Sequence, residues 1–123
     1  MASVTLVDAR DCRRYPATEN LGLASLAAAL RRAGHQVVLR VLDTSGDGDA
    51  AGPAWWAGQT AVGFTLFHCN VSAVFALCRR IRATSPDTGV FIGGPFATVV
   101  AEPALRDCPQ LDGVVLGDGE RAL

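Results

Sequence analysis

Lysine is absent from this chain of 123 residues: all 11 basic residues are arginine. That absence excludes a P-loop, a Schiff-base lysine and a pyridoxal-phosphate anchor, each of which needs a primary amine. Net charge is scarce as well, at -1, so the chain carries neither the basic footprint of a nucleic-acid binder nor a solvated acidic tail. The four cysteines, Cys12, Cys69, Cys78 and Cys108, show no CxxC or CxxxCxxC spacing, which leaves no zinc knuckle or iron-sulfur site and reads as reduced thiols. No apolar run approaches membrane-spanning length, and the start Met1-Ala2-Ser3-Val4 has no charged n-region. The expectation is a soluble cytoplasmic protein without a nucleic-acid or membrane partner.

What is present is apolar: 50% of the residues, enough for one domain over residues 1–123 with a single core. Ser3 to Val7 reads as a β-branched strand ended by Asp8. A helix from Leu21 to Ala33 follows, with Leu23, Leu26, Ala27 and Leu30 at helical spacing, Arg31 and Arg32 in the last turn, and Gly34 as its stop. Gln36 to Leu42 is a second strand. The stretch from Thr44 to Gly58 loosens into Gly, Asp and Ala and has room for only a short helix near Pro53 to Ala57.

Ala61 to Phe67 is the third strand. Asn70 is placed to cap a helix over Val71 to Ala83, whose Val74, Phe75, Leu77, Cys78 and Ile81 make one apolar stripe. Ser85-Pro86-Asp87 turns the chain into a strand at Val90 to Ile92, apolar throughout as in a sheet buried on both faces. A short helix near Pro103 to Cys108 and a fifth strand, Asp112 to Leu116, complete the series. Strands alternating with helices imply a parallel sheet joined by right-handed crossovers. The expected fold is therefore α/β, a Rossmann-like or flavodoxin-like three-layer sandwich with five parallel strands in the order 2-1-3-4-5. A fifth helix would be due where the sequence reaches Leu123, so the domain reads as lacking its last helix: either it is truncated at its C-terminus, or another domain or chain supplies that cover.

Ligands of open parallel sheets sit outside the carboxyl ends of the strands, at the switch point between strands one and three. Those ends carry the candidate site residues. Gly93 and Gly94 allow a positive φ and close approach of a ligand or another backbone, or serve a tight turn alone. Thr65 has a hydroxyl for a ligand or for its own backbone. His68, beside Cys69 and Asn70, can ligate a metal, face a cofactor or simply be solvated; His35 sits at the opposite edge of the sheet and receives no role. Trp55 and Trp56 can cover a flat ligand but more naturally cap the core. Asp118 and Glu120 form a carboxylate pair without a nucleophile beside it. No catalytic centre can be assembled from these residues.

Taken in order, Asn20-Leu21-Gly22-Leu23-Ala24-Ser25-Leu26-Ala27 through His35, then Val62-Gly63-Phe64, then Ser85-Pro86-Asp87 leading to Gly93-Gly94-Pro95, then Gly117-Asp118-Gly119-Glu120, the chain resembles the N-terminal cobalamin-binding domain of B12-dependent radical SAM proteins. The resemblance implies a corrin ring held over the strand ends and a nucleotide tail between strands one and three. Thr65-Leu66-Phe67 stands where such domains often carry Ser-x-Leu, and Gly93-Gly94 matches the glycine pair after strand four. Gly117-Asp118-Gly119-Glu120 resembles a closing Gly-Glu-Gly-Glu run. The cofactor-binding set implied is Thr65, Leu66, Phe67, His68, Asn70, Gly93, Gly94, Pro95, Phe96, Gly117, Asp118, Gly119 and Glu120, with Tyr15 and Asn20.

Two departures shape the expectation. Many cobalamin proteins have Asp-x-His-x-x-Gly after strand one, whose histidine ligates cobalt; here Asp8-Ala9-Arg10-Asp11-Cys12-Arg13 puts arginine in that place. A guanidinium stays protonated and is no ordinary ligand, so the resemblance implies base-off binding without that histidine, with Tyr15, Asn20 or His68 to approach the lower face. The chain also lacks the CxxxCxxC of a radical SAM domain, so that domain, with its iron-sulfur cluster and S-adenosylmethionine, would have to act in cis or in trans. The function implied is the cobalamin-binding, and in that sense metal-binding, module of a methyltransferase-like radical SAM enzyme. A flavodoxin-like interaction or regulatory module that has lost its cofactor is the alternative.

Overall fold

The computed structural model describes residues 2–11, 21–44 and 55–116. Five strands form one parallel sheet in the order β2-β1-β3-β4-β5, the expected order. They are β1 (Ser3–Arg10), β2 (Gln36–Asp43), β3 (Ala61–Thr65), β4 (Gly89–Gly93) and β5 (Gly113–Val114). The helices are α1 (Leu21–Arg32), α2 (Val71–Thr84), α3 (Pro95–Val99) and α4 (Ala101–Asp107). β1 pairs with β2 on one side and β3 on the other, which makes the cleft between β1 and β3 the switch point.

Side-chain alternation along β1 sorts the core into two layers. Leu6 faces α1 and packs with Ala27, Leu30 and Val37. Val7 and Ala9 face the other way, joining Val62, Phe64, Val90 and Ile92 of the neighbouring strands against α2. The five predicted stripe residues of α2 are all buried. α1 stops where Gly34 takes a φ of 94°, with the His35 N–H donating to the Leu30 carbonyl at 3.1 Å and the Gly34 N–H to that of Arg31 at 3.0 Å; this is a Schellman closure, which a residue with a Cβ enters only with strain.

Several expected boundaries move. β1 runs on to Arg10 instead of ending at Val7, because Asp8 and Arg10 neutralise one another on the same strand face. β3 ends at Thr65, not Phe67, and β5 is limited to Gly113–Val114. α3 was not expected at all: it begins directly after Gly94, with Pro95 in its first turn, where a missing N–H costs nothing. Part of the short helix expected near Pro53 to Ala57, namely Pro53 and Ala54, lies outside the described residues, and Trp55 to Gly58 form turns.

The two tryptophans cap the core just before β3. Trp56 is 1% exposed and belongs to the core on the α2 side. Its indole N–H donates to Thr84 Oγ1 at 2.9 Å, and its ring meets Trp55 edge-on with centroids 4.9 Å apart. The guanidiniums of Arg40 and Arg80 lie over Trp55 and Trp56 respectively. Large rings with a cationic lid bury much area from few residues, so the pair covers part of the α2-side core just before β3. His35, unassigned from sequence, accepts a hydrogen bond at Nδ1 from the Ala2 N–H at 3.0 Å and so ties the start of β1 to the turn before β2.

Candidate functional site at the strand ends

At the carboxyl ends of β3 and β4 the two signal loops touch. The Leu66 N–H donates to the Gly93 carbonyl at 3.0 Å. Gly94 has a φ of 102°, and a Cβ there would lie 3.3 Å from Thr65 Cγ2. A side chain at Gly94 would therefore be strained by its backbone and crowded by Thr65. Gly93 faces Val115, 3.6 Å from where its Cβ would be.

The switch point is closed from beneath by Asn70, which is 3% exposed. Its side-chain amide donates to the carbonyls of Ala9 at 2.8 Å and Thr65 at 3.0 Å, and its Oδ1 accepts from the Phe67 N–H at 2.8 Å. Asn70 occupies the N-cap position of α2 without a side-chain capping bond; the expected capping role is replaced by this tie between the ends of β1 and β3. Such a buried amide is stabilising only because its donors and acceptor are satisfied.

The predicted site residues divide accordingly. Thr65, 8% exposed, lies at the head of the cleft, and Leu66 is buried in the α2-side core. Phe67, His68 and Cys69 are exposed at the rim, with the His68 ring edge-on to Phe96 at a centroid distance of 6.4 Å. Pro95 is exposed and Phe96 half-buried at the start of α3. Tyr15, Asn20, Gly117, Asp118, Gly119 and Glu120 lie outside the described residues.

Sequence reasoning missed the pairing of Asp8 and Arg10. The Arg10 guanidinium donates to the Asp8 carboxylate, with side chains 10% and 8% exposed. The i, i+2 spacing on a strand was the available signal, because it puts both side chains on one face. Asp8 and Thr65 are each one residue beyond the last paired positions of β1 and β3, Val7 and Phe64, so the ion pair stands at the mouth of the switch-point cleft. Among the described residues no group of three His, Cys, Asp or Glu side chains is gathered for a metal ion.

Residues 13–123 match the B12 binding domain. The chain belongs to the B12-binding domain family. The fold agrees, since the order 2-1-3-4-5 is the flavodoxin-like arrangement. This B12-binding domain is 34% identical over 104 residues to the hopanoid C-3 methylase of Methylococcus capsulatus, covering 83% of the chain and 20% of that protein. It is also 31% identical over 113 residues to the methionyl-tRNA formyltransferase of Granulibacter bethesdensis, covering 90% of the chain and 36% of that protein. The domain thus spans between a fifth and just over a third of the curated relatives it matches. Its match to the family begins after β1, so the Asp8–Arg10 pair lies outside the matched residues.

The residues present fit a cobalamin cofactor. The α1-facing side of β3 and β4 offers Gly63 and, two residues nearer the strand ends, Gly93 in register with Thr65: a small-residue surface at the strand ends that larger side chains would narrow. No helix of the described residues is long and apolar enough to cross a membrane.

Proposed function

We propose that this domain is the cobalamin-binding module of a methyltransferase-like radical SAM enzyme. The observation that carries the reading is the contact of the two loops at the ends of β3 and β4, beside the switch point, where a Cβ on Gly94 would lie 3.3 Å from Thr65 Cγ2. Family membership and the likeness to a hopanoid C-3 methylase support it. Bound cobalamin supplies a cobalt centre for carrying a methyl group. Thr65, Gly93, Gly94, Pro95 and Phe96 hold the cofactor from the ends of β3 and β4, with Phe67 and His68 at the rim. Leu66 and Asn70 fix the loop from below. Gly117, Asp118, Gly119, Glu120, Tyr15 and Asn20 complete the set.

The domain holds cobalamin base-off and without a histidine from the β1 loop. Arg10 stands where the ligating histidine of other cobalamin proteins occurs, carries a guanidinium with donors and no acceptor, and is held by Asp8. The chemistry of the whole protein, with a radical SAM domain, its iron-sulfur cluster and S-adenosylmethionine, takes place in cis or in trans to this module.

Electron paramagnetic resonance of the domain loaded with cob(II)alamin tests the coordination. The expected spectrum has no nitrogen superhyperfine splitting, and the Arg10→His variant gains it. Splitting in the wild type that disappears in His68→Ala would instead assign a histidine ligand from the β3 loop and refute the histidine-free assignment.

A further inference from the structure

The two edges of the sheet are unlike. β5 is two residues long, too short to template another strand, whereas β2 runs for eight without a proline and pairs with β1 residue for residue, with no bulge. Short strands, prolines, bulges and outward charges are the usual guards of a sheet edge, and β2 has none of the first three. Its one cation, Arg40, lies over the Trp55 ring. Val38, Leu39 and Val41 are exposed, and no strand of the described residues lies beyond β2.

Backbone direction fixes which groups that edge offers. The Gln36 N–H donates to the Ala2 carbonyl at 2.9 Å and the Thr44 N–H to the Arg10 carbonyl at 2.8 Å. Even-numbered residues of β2 therefore turn their backbone groups inward to β1, and Val37, Leu39 and Val41 turn theirs outward. The Val37 carbonyl accepts from Arg31 at 2.9 Å and keeps a second lone pair. The side chains of the same three residues share the α1-facing side of the sheet, where Val37 packs with Leu30. Followed in either direction along the strand, that side reads Val-Leu-Val.

A palindromic apolar row on an open edge is complementary to itself in an antiparallel pair. We propose that β2 joins β2 of a second copy of this chain about a twofold axis at Leu39, independently of the cobalamin reading. Leu39 meets the partner's Leu39, and Val37 meets the partner's Val41. Each outward N–H and carbonyl from Val37 to Val41 then has a partner. Arg40 falls opposite the partner's Val38, which its methylene stem can cover. Asp43 falls opposite the partner's His35. His35 accepts from the Ala2 N–H at Nδ1, so its Nε2 carries a proton and suits a carboxylate. Moving the axis by one residue, to Arg40, would set two guanidiniums against each other and disfavours that register.

Sedimentation equilibrium of the 123-residue chain tests this. The expected result is a dimer whose dissociation constant rises at least about tenfold in Leu39→Lys, where two ammonium groups face one another at the axis. Leu105→Lys, at an exposed leucine of α4, is expected to leave the dimer unchanged. The register is read with Leu39→Cys in a Cys12→Ser, Cys69→Ser background. Oxidation by copper phenanthroline is expected to link two chains there, because directly opposed residues of an antiparallel pair have Cα atoms roughly 5.5 Å apart, within disulfide reach. Leu105→Cys in the same background is expected to stay unlinked. A chain that is monomeric into the high micromolar range, its edge then left to a different strand, overturns the proposal. So does a dimer that Leu39→Lys leaves intact, or one in which Leu39→Cys is not linked. Should Leu39→Lys fail to fold, the crosslink decides.

Discussion

The side-chain amide of Asn70 donates to the backbone carbonyl of Ala9 at 2.8 Å, joining the loop after the third strand to the end of the first. This single contact spans the switch point of the sheet. It converts two separate strand ends into one rigid floor beneath the proposed cofactor site.

Replacing Asn70 by alanine leaves the Ala9 and Thr65 carbonyls and the Phe67 N–H without their partner. Each lost bond costs about 1 kcal/mol, so a destabilisation of about 2–4 kcal/mol is expected in urea denaturation. Asn70→Asp retains an acceptor for Phe67 but turns a buried carboxylate oxygen toward the Ala9 and Thr65 carbonyls, and should be at least as destabilising as the alanine variant at neutral pH. A loss below about 0.5 kcal/mol for Asn70→Ala would contradict the structural role.

The ion pair of Asp8 and Arg10 is largely buried. Removing one member strands the other in a poorly solvated place, at a cost on the order of 3 kcal/mol. Arg10→Met is therefore expected to destabilise the fold, whereas the double variant Asp8→Leu with Arg10→Met recovers most of the loss. A double-mutant cycle by thermal or chemical denaturation checks this; additive effects would show that the pair is not coupled.

Burial pushes the Cys78 thiol far above its ordinary range, and the neighbouring Cys108, which shares a hydrogen bond with it, adds to the rise. The unfolded chain loses this proton near pH 8.5, while the folded chain keeps it. Above that pH the native state binds more protons, so stability falls as pH rises, by up to about 1.4 kcal/mol per pH unit from this group. Cys78→Ala should flatten the decline between pH 8.5 and 10 in denaturation curves. In the native protein, thiol reagents should modify the exposed Cys69 and spare the buried Cys78; rapid modification of Cys78 would contradict its burial.

Gly94 holds a left-handed backbone against Thr65. Gly94→Ala is expected to cost about 1–2 kcal/mol from the backbone alone, and to weaken cobalamin retention more than it weakens the fold. Thr65→Ser, which removes the crowding methyl, should restore part of the binding. Equal loss in binding and stability, without rescue by Thr65→Ser, would refute the role of this small-residue surface.

Much of this arrangement was legible in the residues. The stripe of α2, the Gly34 stop and the alternation of strands with helices follow from local pattern, while the order 2-1-3-4-5 rests on the flavodoxin-like arrangement common to such alternation. The two touching loops were marked by Thr65 to Asn70 and Gly93-Gly94. Less visible were features set by contact between distant segments. Asn70 looks like a helix cap because the residue type and spacing suit one, yet the carbonyls of Ala9 and Thr65 compete for its amide and win. α3 was hidden because five residues carry no helical period, although Gly-Gly-Pro announces a glycine turn with proline in the next helical position. Trp55 and Trp56 cap the core by bulk, which no periodicity reports.

The central claim is that the strand ends of β1, β3 and β4 hold cobalamin. Titrating the folded 123-residue chain with hydroxocobalamin, following the visible spectrum and measuring the bound fraction after desalting, tests it most directly. The account predicts a saturable spectral change with one cobalamin retained per chain. Protein that is folded by circular dichroism and yet shows no spectral change and retains no cobalamin would contradict it.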